Sequence, residues 1–191
     1  MNYRCVKIQK THKDKILKIW ADRMGKNYPQ KSKLEDAIIE DIENRFGFVS
    51  ITDEQEVVGF CLGSILSRNE AITKYPPLKK LAEDVNYIGC LDTNVVKKSI
   101  ENNGIGTKQL IKRENYFEKR NINTLFTICW LRDDHKDSSI LFNNRSDFEP
   151  VKDIENYWYE ETKNRNANCI DCGFPCTCTA RIYFKKINNI K

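Results

Sequence analysis

No apolar run of signal-peptide or membrane-spanning length occurs in these 191 residues, and Met1-Asn2-Tyr3-Arg4-Cys5 leads at once into a lysine-rich segment. Neither a secretory leader nor a membrane anchor is expected, and the cytoplasm is the expected location. A basic arm is missing too. The 32 Lys and Arg are interspersed with 27 Asp and Glu, so the net charge of +5 suits acidic small molecules and does not make nucleic acid an expected partner. Internal repeats and low-complexity linkers are absent. With 40% apolar side chains, the length supports one sizeable core rather than two. The expectation is a single domain over residues 1–191 with a cysteine-rich insertion at about 160–178.

The pattern along the chain predicts alternating elements. Residues 3–9 alternate as a strand, then Thr11 stands as an N-cap ahead of Ile16, Leu17, Ile19, Trp20 and Met24 on one helical face. Ser32-Lys33-Leu34-Glu35 reads as a capping box, with Leu34, Ile38, Ile42 and Phe46 continuing an apolar stripe that Gly47 can end. Phe48 to Thr52 and Val57 to Leu66 read as a hairpin around Asp53 to Gln55. Residues 67–85, with Pro76-Pro77, read as a long loop with room for one helical turn. Strands follow at Tyr87–Val96 and Thr124–Trp130, separated by a helix carrying Leu110, Ile111 and Phe117. A short helix over Ser138–Asn144, a strand Phe148–Trp158 and a last strand Thr179–Lys185 complete the order, which implies an α+β fold built on a mixed α/β sheet covered by helices.

Between strand end and helix start lies Val96-Lys97-Lys98-Ser99-Ile100-Glu101-Asn102-Asn103-Gly104-Ile105-Gly106-Thr107. The first turn of a helix leaves its N–H groups unpaired and carries the positive end of the macrodipole, so a pyrophosphate can be held by backbone alone. A plain strand-to-helix turn is the other reading of the same residues. A dinucleotide fingerprint would place a third glycine where Gln109 stands, and a Walker loop would need Gly-Lys-Ser/Thr; neither is present.

These residues resemble the GNAT superfamily of acyl-CoA-dependent N-acetyltransferases, whose central motif is Arg/Gln-x-x-Gly-x-Gly/Ala after a strand ending in an aliphatic residue. Val96 matches that strand end, Gly104 and Gly106 match the glycines, and Val57-Val58-Gly59-Phe60 matches the aliphatic-Gly-Phe run of the third strand. The resemblance covers nearly the whole chain. It implies a central, mostly antiparallel sheet flanked by helices, and acetyl-CoA held by Val96, Lys97, Asn102, Asn103, Gly104, Ile105, Gly106 and Thr107. It further implies direct acetyl transfer to an amine acceptor, a small molecule or a protein. Glu101 departs from the motif, since an anion stands at the Arg/Gln position. Either it turns outward, or phosphate recognition rests on backbone N–H groups and on lysines such as Lys97 or Lys108.

The reaction needs a group that takes a proton from the ammonium and one that supplies a proton to the thiolate. Similar proteins commonly carry Asn and, seven residues later, an acidic Tyr after the fifth strand; here those places hold His135 and Phe142. Tyr157, Tyr159 or water would then substitute as the acid. Asp92, in the strand beside the thioester in similar proteins, is the candidate catalytic base, with a bulge aspartate bonded to nearby backbone as its structural alternative. His12 reads as a surface residue and His135 as a solvated or capping one.

Eight cysteines divide into two sets. Cys5, Cys61, Cys90 and Cys129 sit singly among apolar neighbours and read as reduced core residues. Cys169, Cys172, Cys176 and Cys178 fall within ten positions around Gly173-Phe174-Pro175. Cys-x-x-Cys can wrap a metal, and residues two apart on an extended strand share a side, so the four can close a tetrahedral site for structural Zn²⁺. Disulfides, an iron–sulfur cluster and idle thiols use the same residues. A metal here would pin the connection between the last two strands, where an acceptor wall would lie. A non-enzymatic module is the alternative function, in which this cluster, Lys163, Arg165, Arg181, Lys185 and Lys186 meet protein or nucleic acid and Tyr157, Trp158, Tyr159 and Tyr183 stack on bases.

Overall fold

The computed structural model describes residues 2–39, 44–131 and 147–187. Seven strands form one sheet: β1 Tyr3–Lys7, β2 Arg45–Thr52, β3 Val57–Ser67, β4 Tyr87–Val96, β5 Thr124–Leu131, β6 Glu149–Ile154 and β7 Thr179–Lys186. Their spatial order is β1-β2-β3-β4-β5-β7-β6. Every pairing is antiparallel except that of β4 with β5. Among the described residues five α-helices connect them: α1 Lys13–Met24, α2 Lys31–Ile38, α3 Arg68–Lys74, α4 Ile105–Glu118 and α5 Tyr159–Arg165. Parallel neighbours need a crossover, and α4 supplies it between β4 and β5.

Period-two alternation puts the two faces of the sheet to different use. Phe46, Phe48, Cys61, Leu91 and Leu125 pack under Leu110 and Phe117 of α4. Val49, Ile51 and Phe60 take the opposite face, where α1 and α2 bring Ile16, Ile19, Trp20 and Leu34. Next to them Tyr75 and Leu78 cover Ile88, Cys90, Phe126 and Ile182. Burial of each such large apolar side chain contributes about 1.5–3 kcal/mol. Cys61, Cys90 and Cys129 are buried thiols and Cys5 a partly buried one, in no disulfide among the described residues. No helix among the described residues is long and apolar enough to cross a membrane.

Several expected boundaries move. Thr11 lies inside a 3-10 turn, Lys10–His12, and His12 occupies the N-cap of α1 without a side-chain cap; its Nδ1 instead accepts from the Gln9 N–H at 3.1 Å. Gln30, not Ser32, is the N-cap of α2, and Glu35 turns to Lys13. Phe46 and Gly47 belong to β2, because pairing with β3, with Phe46 packed on α4 and Gly47 close to Ala37 of α2, outweighs the helical spacing from Leu34; Ile42 lies outside the described residues. The stretch 67–85 begins with α3, capped reciprocally by Ser67 and Glu70. The strand expected over Phe148–Trp158 ends at Ile154, and Tyr157 and Trp158 lead into α5. The helix expected at Ser138–Asn144, with His135 and Phe142, lies outside the described residues.

Candidate active site

β4 and β5 run parallel only for three rungs, Gly89↔Leu125, Cys90↔Phe126 and Leu91↔Thr127. Thr127 Oγ1 closes the last rung by donating to the Leu91 carbonyl at 2.8 Å. Beyond it the two strands no longer pair with each other, β4 following β3 to Val96 and β5 following β7 to Leu131, so a gap opens in the middle of the sheet.

A β-bulge lies at the mouth of this gap. Cys90 faces Ser64 and Thr93 faces Leu62, so Leu91 and Asp92 together oppose Gly63 alone. A bulge takes backbone groups out of the ladder and re-aims side chains. From the α4 side, Arg113 Nη1 donates to the Leu62 and Thr93 carbonyls at 3.2 and 3.4 Å. Arg113 is only 1% exposed, and its Nε and Nη2 have no partner, so its ordering role is directed at the bulge.

The gap opens into a cleft of ≈ 350 Å³ bounded by Asp92, Thr93 and Asn94 of β4, by Ile128 and Trp130 of β5, and by Trp20, Tyr28, Tyr75, Tyr157 and Trp158. Asp92 is half-buried and accepts from the Cys90 thiol at 3.4 Å. Burial, reinforced by the Asp92 carboxylate, pushes the Cys90 thiol up, so it stays a neutral donor. The Tyr75 hydroxyl stands beside that of Tyr157. Burial pushes Tyr157 up to about 12 despite the neighbouring Tyr75 hydroxyl, and burial raises Tyr75 as well. Both phenols are therefore neutral at ordinary pH and can donate protons. The sequence offers Tyr157 as a substitute acid or as a base-stacking aromatic and does not single out Tyr75. At Tyr75 the signal is an aromatic before Pro-Pro; its approach to Tyr157 spans 82 residues of chain.

The glycine loop follows β4. Lys98–Ile100 form one 3-10 turn, Asn102 takes φ 65°, and Gly104 takes φ 74° as the N-cap of α4. A residue with a Cβ is disfavoured in this left-handed conformation. Asn103 Nδ2 ties the loop by donating to the Ile100 and Glu101 carbonyls, each at 3.1 Å. Ile105, Gly106 and Thr107 occupy the first turn of α4, where N–H groups have no intrahelical acceptor. Glu101 is held by Arg23 of α1 in an ion pair, so its charge is compensated. The two lysines expected to help sit elsewhere: Lys97 pairs with Glu56, and Lys108 stands 4.4 Å over the Tyr3 ring. An anion placed at this loop would therefore meet backbone N–H groups rather than these two lysines.

The cysteine sets differ as expected. The sulfurs of Cys169, Cys172, Cys176 and Cys178 all lie within 4.8 Å of one another and could hold a metal. Cys169 and Cys178 are 3.9 Å apart, Cys172 and Cys176 3.6 Å, and Cys172 and Cys178 3.3 Å. A tetrahedron with metal–sulfur bonds of about 2.3 Å has edges of about 3.8 Å. The basic residues of the C-terminal third are mostly committed: Arg165 to Glu161 and to the Asn27 and Pro29 carbonyls, Arg181 to Asp153, Lys185 to Glu114. Of the aromatics near them, Tyr183 is buried in the core and Tyr157 and Trp158 line the cleft.

By sequence, no protein-family model matches the chain and no curated protein does. By structure, it is similar to Arabidopsis thaliana NAA60 solved in complex with a bisubstrate analogue, at 10% identity and a TM-score of 0.72 over 98% of this chain and 100% of that one. Arylalkylamine N-acetyltransferase 2 from Aedes aegypti superposes at 18% identity and a TM-score of 0.66 over 98% and 100%. An acetyltransferase of the GNAT family from Staphylococcus aureus does so at 14% identity and a TM-score of 0.63 over 97% and 99%. The mostly antiparallel sheet, the splayed parallel pair and the end-to-end superposition give one conclusion: this chain has the fold of the GNAT N-acetyltransferases.

Proposed function

We propose that the protein is an acetyl-CoA-dependent N-acetyltransferase that acts on a primary amine by direct attack. Residues 1–191 would serve as one catalytic domain with a cysteine-rich insertion at about 160–178. The observation that carries this reading is a juxtaposition along one strand. β4 has the cleft and bulge at Asp92, and four residues on, about 13 Å of extended chain, it ends at Val96 before the cradle of α4.

The cradle suits a pyrophosphate. Gly104 presents no Cβ, and the first-turn N–H groups of Ile105, Gly106 and Thr107 supply donors at the positive end of α4. Val96, Lys97, Asn102 and Asn103 complete its wall, and the Arg23–Glu101 pair keeps the motif's misplaced anion from repelling the ligand. Acetyl-CoA supplies the activated thioester.

The chain's own residues then handle the amine and the protons. Asp92, the carboxylate nearest the sheet gap, accepts the proton that the ammonium loses before its nitrogen attacks the carbonyl carbon. As the new C–N bond forms and the C–S bond breaks, the thiolate leaves with the bonding pair, the Tyr157 hydroxyl protonates it, and the second proton shed by the acylated nitrogen returns to the Tyr157 phenolate. Tyr75, whose hydroxyl stands beside it, would orient that hydroxyl by donating to it. The bulge N–H groups of Leu91 and Asp92, out of the ladder with β3, can face the developing oxyanion. Aromatic walls and the carboxylate fit a cationic amine on an apolar stem.

Zinc is the ion assigned to the four cysteines, because a closed all-cysteine tetrahedron suits it as a structural ion. Elemental analysis separates it from iron. Catalysis is tested by a panel of amine acceptors with detection of released thiol. Acceptor-dependent thiol release supports the reading. CoA binding with no turnover across the panel would instead make the protein a non-catalytic CoA-binding module.

A further inference from the structure

Two segments more than 100 residues apart build one wall of the cleft. The Asn168 N–H donates to the Lys26 carbonyl at 3.0 Å, and the Ile170 N–H to the Met24 carbonyl at 3.3 Å. Arg165 Nη2 donates to the carbonyls of Asn27 and Pro29 at 3.2 and 2.7 Å, and Asn27 Nδ2 answers with a 3.1 Å bond to the Asn166 carbonyl. Gly25, at φ 114°, permits the approach: a Cβ there would stand 1.9 Å from the Asn168 carbonyl oxygen. Met24, Tyr28 and Gln30 of this connector line the cleft.

The four cysteines sit behind the same wall. Cys169 and Gly173 exchange backbone bonds of 2.9 and 3.1 Å, closing the Cys-x-x-Cys turn, and the Thr177 N–H donates to Cys172 Sγ at 3.3 Å. The Cys176 N–H donates to Thr162 Oγ1 of α5 at 2.9 Å. Three cleft residues touch the cluster directly. The Tyr28 hydroxyl reaches Cys176 Sγ at 4.0 Å, the Tyr157 N–H donates to the Cys178 carbonyl at 3.2 Å, and the Trp130 side chain stands beside the Cys178 sulfur.

Apolar burial does little to hold the cysteine-rich segment in place. Its two large apolar side chains, Ile170 and Phe174, are 52% and 50% exposed. Small segments without a core of their own depend on staples such as a bound metal, whose binding free energy becomes folding free energy.

We propose that one metal ion held by Cys169, Cys172, Cys176 and Cys178 positions the acceptor wall. Tyr28, Trp130 and Tyr157 are set by the metal-bound turn, and the 24–30 connector is set by docking on it. Metal loss therefore opens the acceptor side of the cleft and leaves the glycine cradle of α4 intact. The functional consequence rests on the acetyltransferase reading; the metal and the wall do not.

The test is hydrogen–deuterium exchange on the full chain as purified and after a zinc chelator, with metal counted by mass spectrometry. One zinc per chain is expected before chelation, from the single set of four ligands. Stripping should lower protection in residues 24–30 and 154–162 by about tenfold or more, while residues 96–118 stay within about twofold. Gly25→Ala keeps all four cysteines, so it should retain the metal and still lose protection in 24–30. Cobalt-substituted protein should show the absorption of a tetrahedral thiolate site. A chain that binds neither zinc nor cobalt, unchanged exchange at 24–30 after stripping, or equal loss across 96–118 would each overturn the proposal. Failure of the acetyltransferase reading looks different: CoA does not bind the metal-loaded protein, and the exchange pattern persists.

Discussion

Replacing Tyr157 by Phe removes one oxygen, the acceptor proposed for the Tyr75 hydroxyl beside it. Because Tyr75 is buried, Tyr157→Phe leaves that hydroxyl without its acceptor, at a cost of about 1–3 kcal/mol. Removing both hydroxyls in the double variant Tyr75→Phe/Tyr157→Phe should return stability to near the wild type, because replacing both partners by apolar groups is close to neutral. Activity should behave otherwise. As the proton donor to the thiolate, Tyr157 is worth about 10²–10⁴ in rate, and the double variant should be as slow as the single one. Urea unfolding gives the first quantity and thiol release from acetyl-CoA the second. The pH profile adds a check. A phenol held up at about 12 stays protonated through ordinary pH, so the acid contributes no fall in kcat below about pH 10. The linked stability is fully present below the ordinary phenol range and is lost as pH rises through about 12. A single variant within twofold of wild-type rate, or a rate that recovers along with stability in the double variant, would refute Tyr157 as the acid.

Further outcomes follow from the same geometry. Asp92→Asn should lower kcat by about 10²–10⁴ while CoA affinity, read by calorimetry, stays unchanged, since Asp92 lies in the cleft and not in the cradle. Arg23→Ala exposes the Glu101 charge and should weaken CoA binding about twofold to fivefold at low salt, with the difference shrinking as salt is added. Ser67→Ala deletes the N-cap of α3 and should cost about 1 kcal/mol in urea unfolding. Glu70 closes that capping box, and its hydrogen bonds to Ser67 hold its carboxyl below the usual range. The box therefore contributes above about pH 4.5 and fades as pH falls below it.

What the sequence disclosed follows the range of the interactions involved. β4 spans Tyr87–Val96, the bounds expected of it, and the β2–β3 hairpin turns where Asp53 to Gln55 indicated. The cysteine cluster was legible because its ligands lie within ten positions. Phe46 and Gly47 were misassigned because a four-residue spacing imitates a helical stripe, while pairing with β3 decides their conformation. The box Ser67-Arg68-Asn69-Glu70 was a readable start for α3, masked by Pro76-Pro77 just beyond a seven-residue helix. The cleft itself had no local signature. Trp20 reads as a core residue of α1, Tyr75 as a loop residue and Tyr157 as part of a strand, and only the sheet gap brings them together. Gly25 is similar: its approach to Asn168 spans more than 140 residues.

Binding of CoA to the glycine cradle is the claim on which the rest stands, and a thermal shift measures it most directly. Free CoA at about a hundred times its dissociation constant stabilises a protein by about 2.7 kcal/mol, which for a chain of this size raises Tm by about 5–11 °C. The account predicts that shift for the wild type and its loss in Gly104→Val, which places a branched side chain at φ 74° in the cradle. No shift with millimolar CoA, or an equal shift in Gly104→Val, would contradict it.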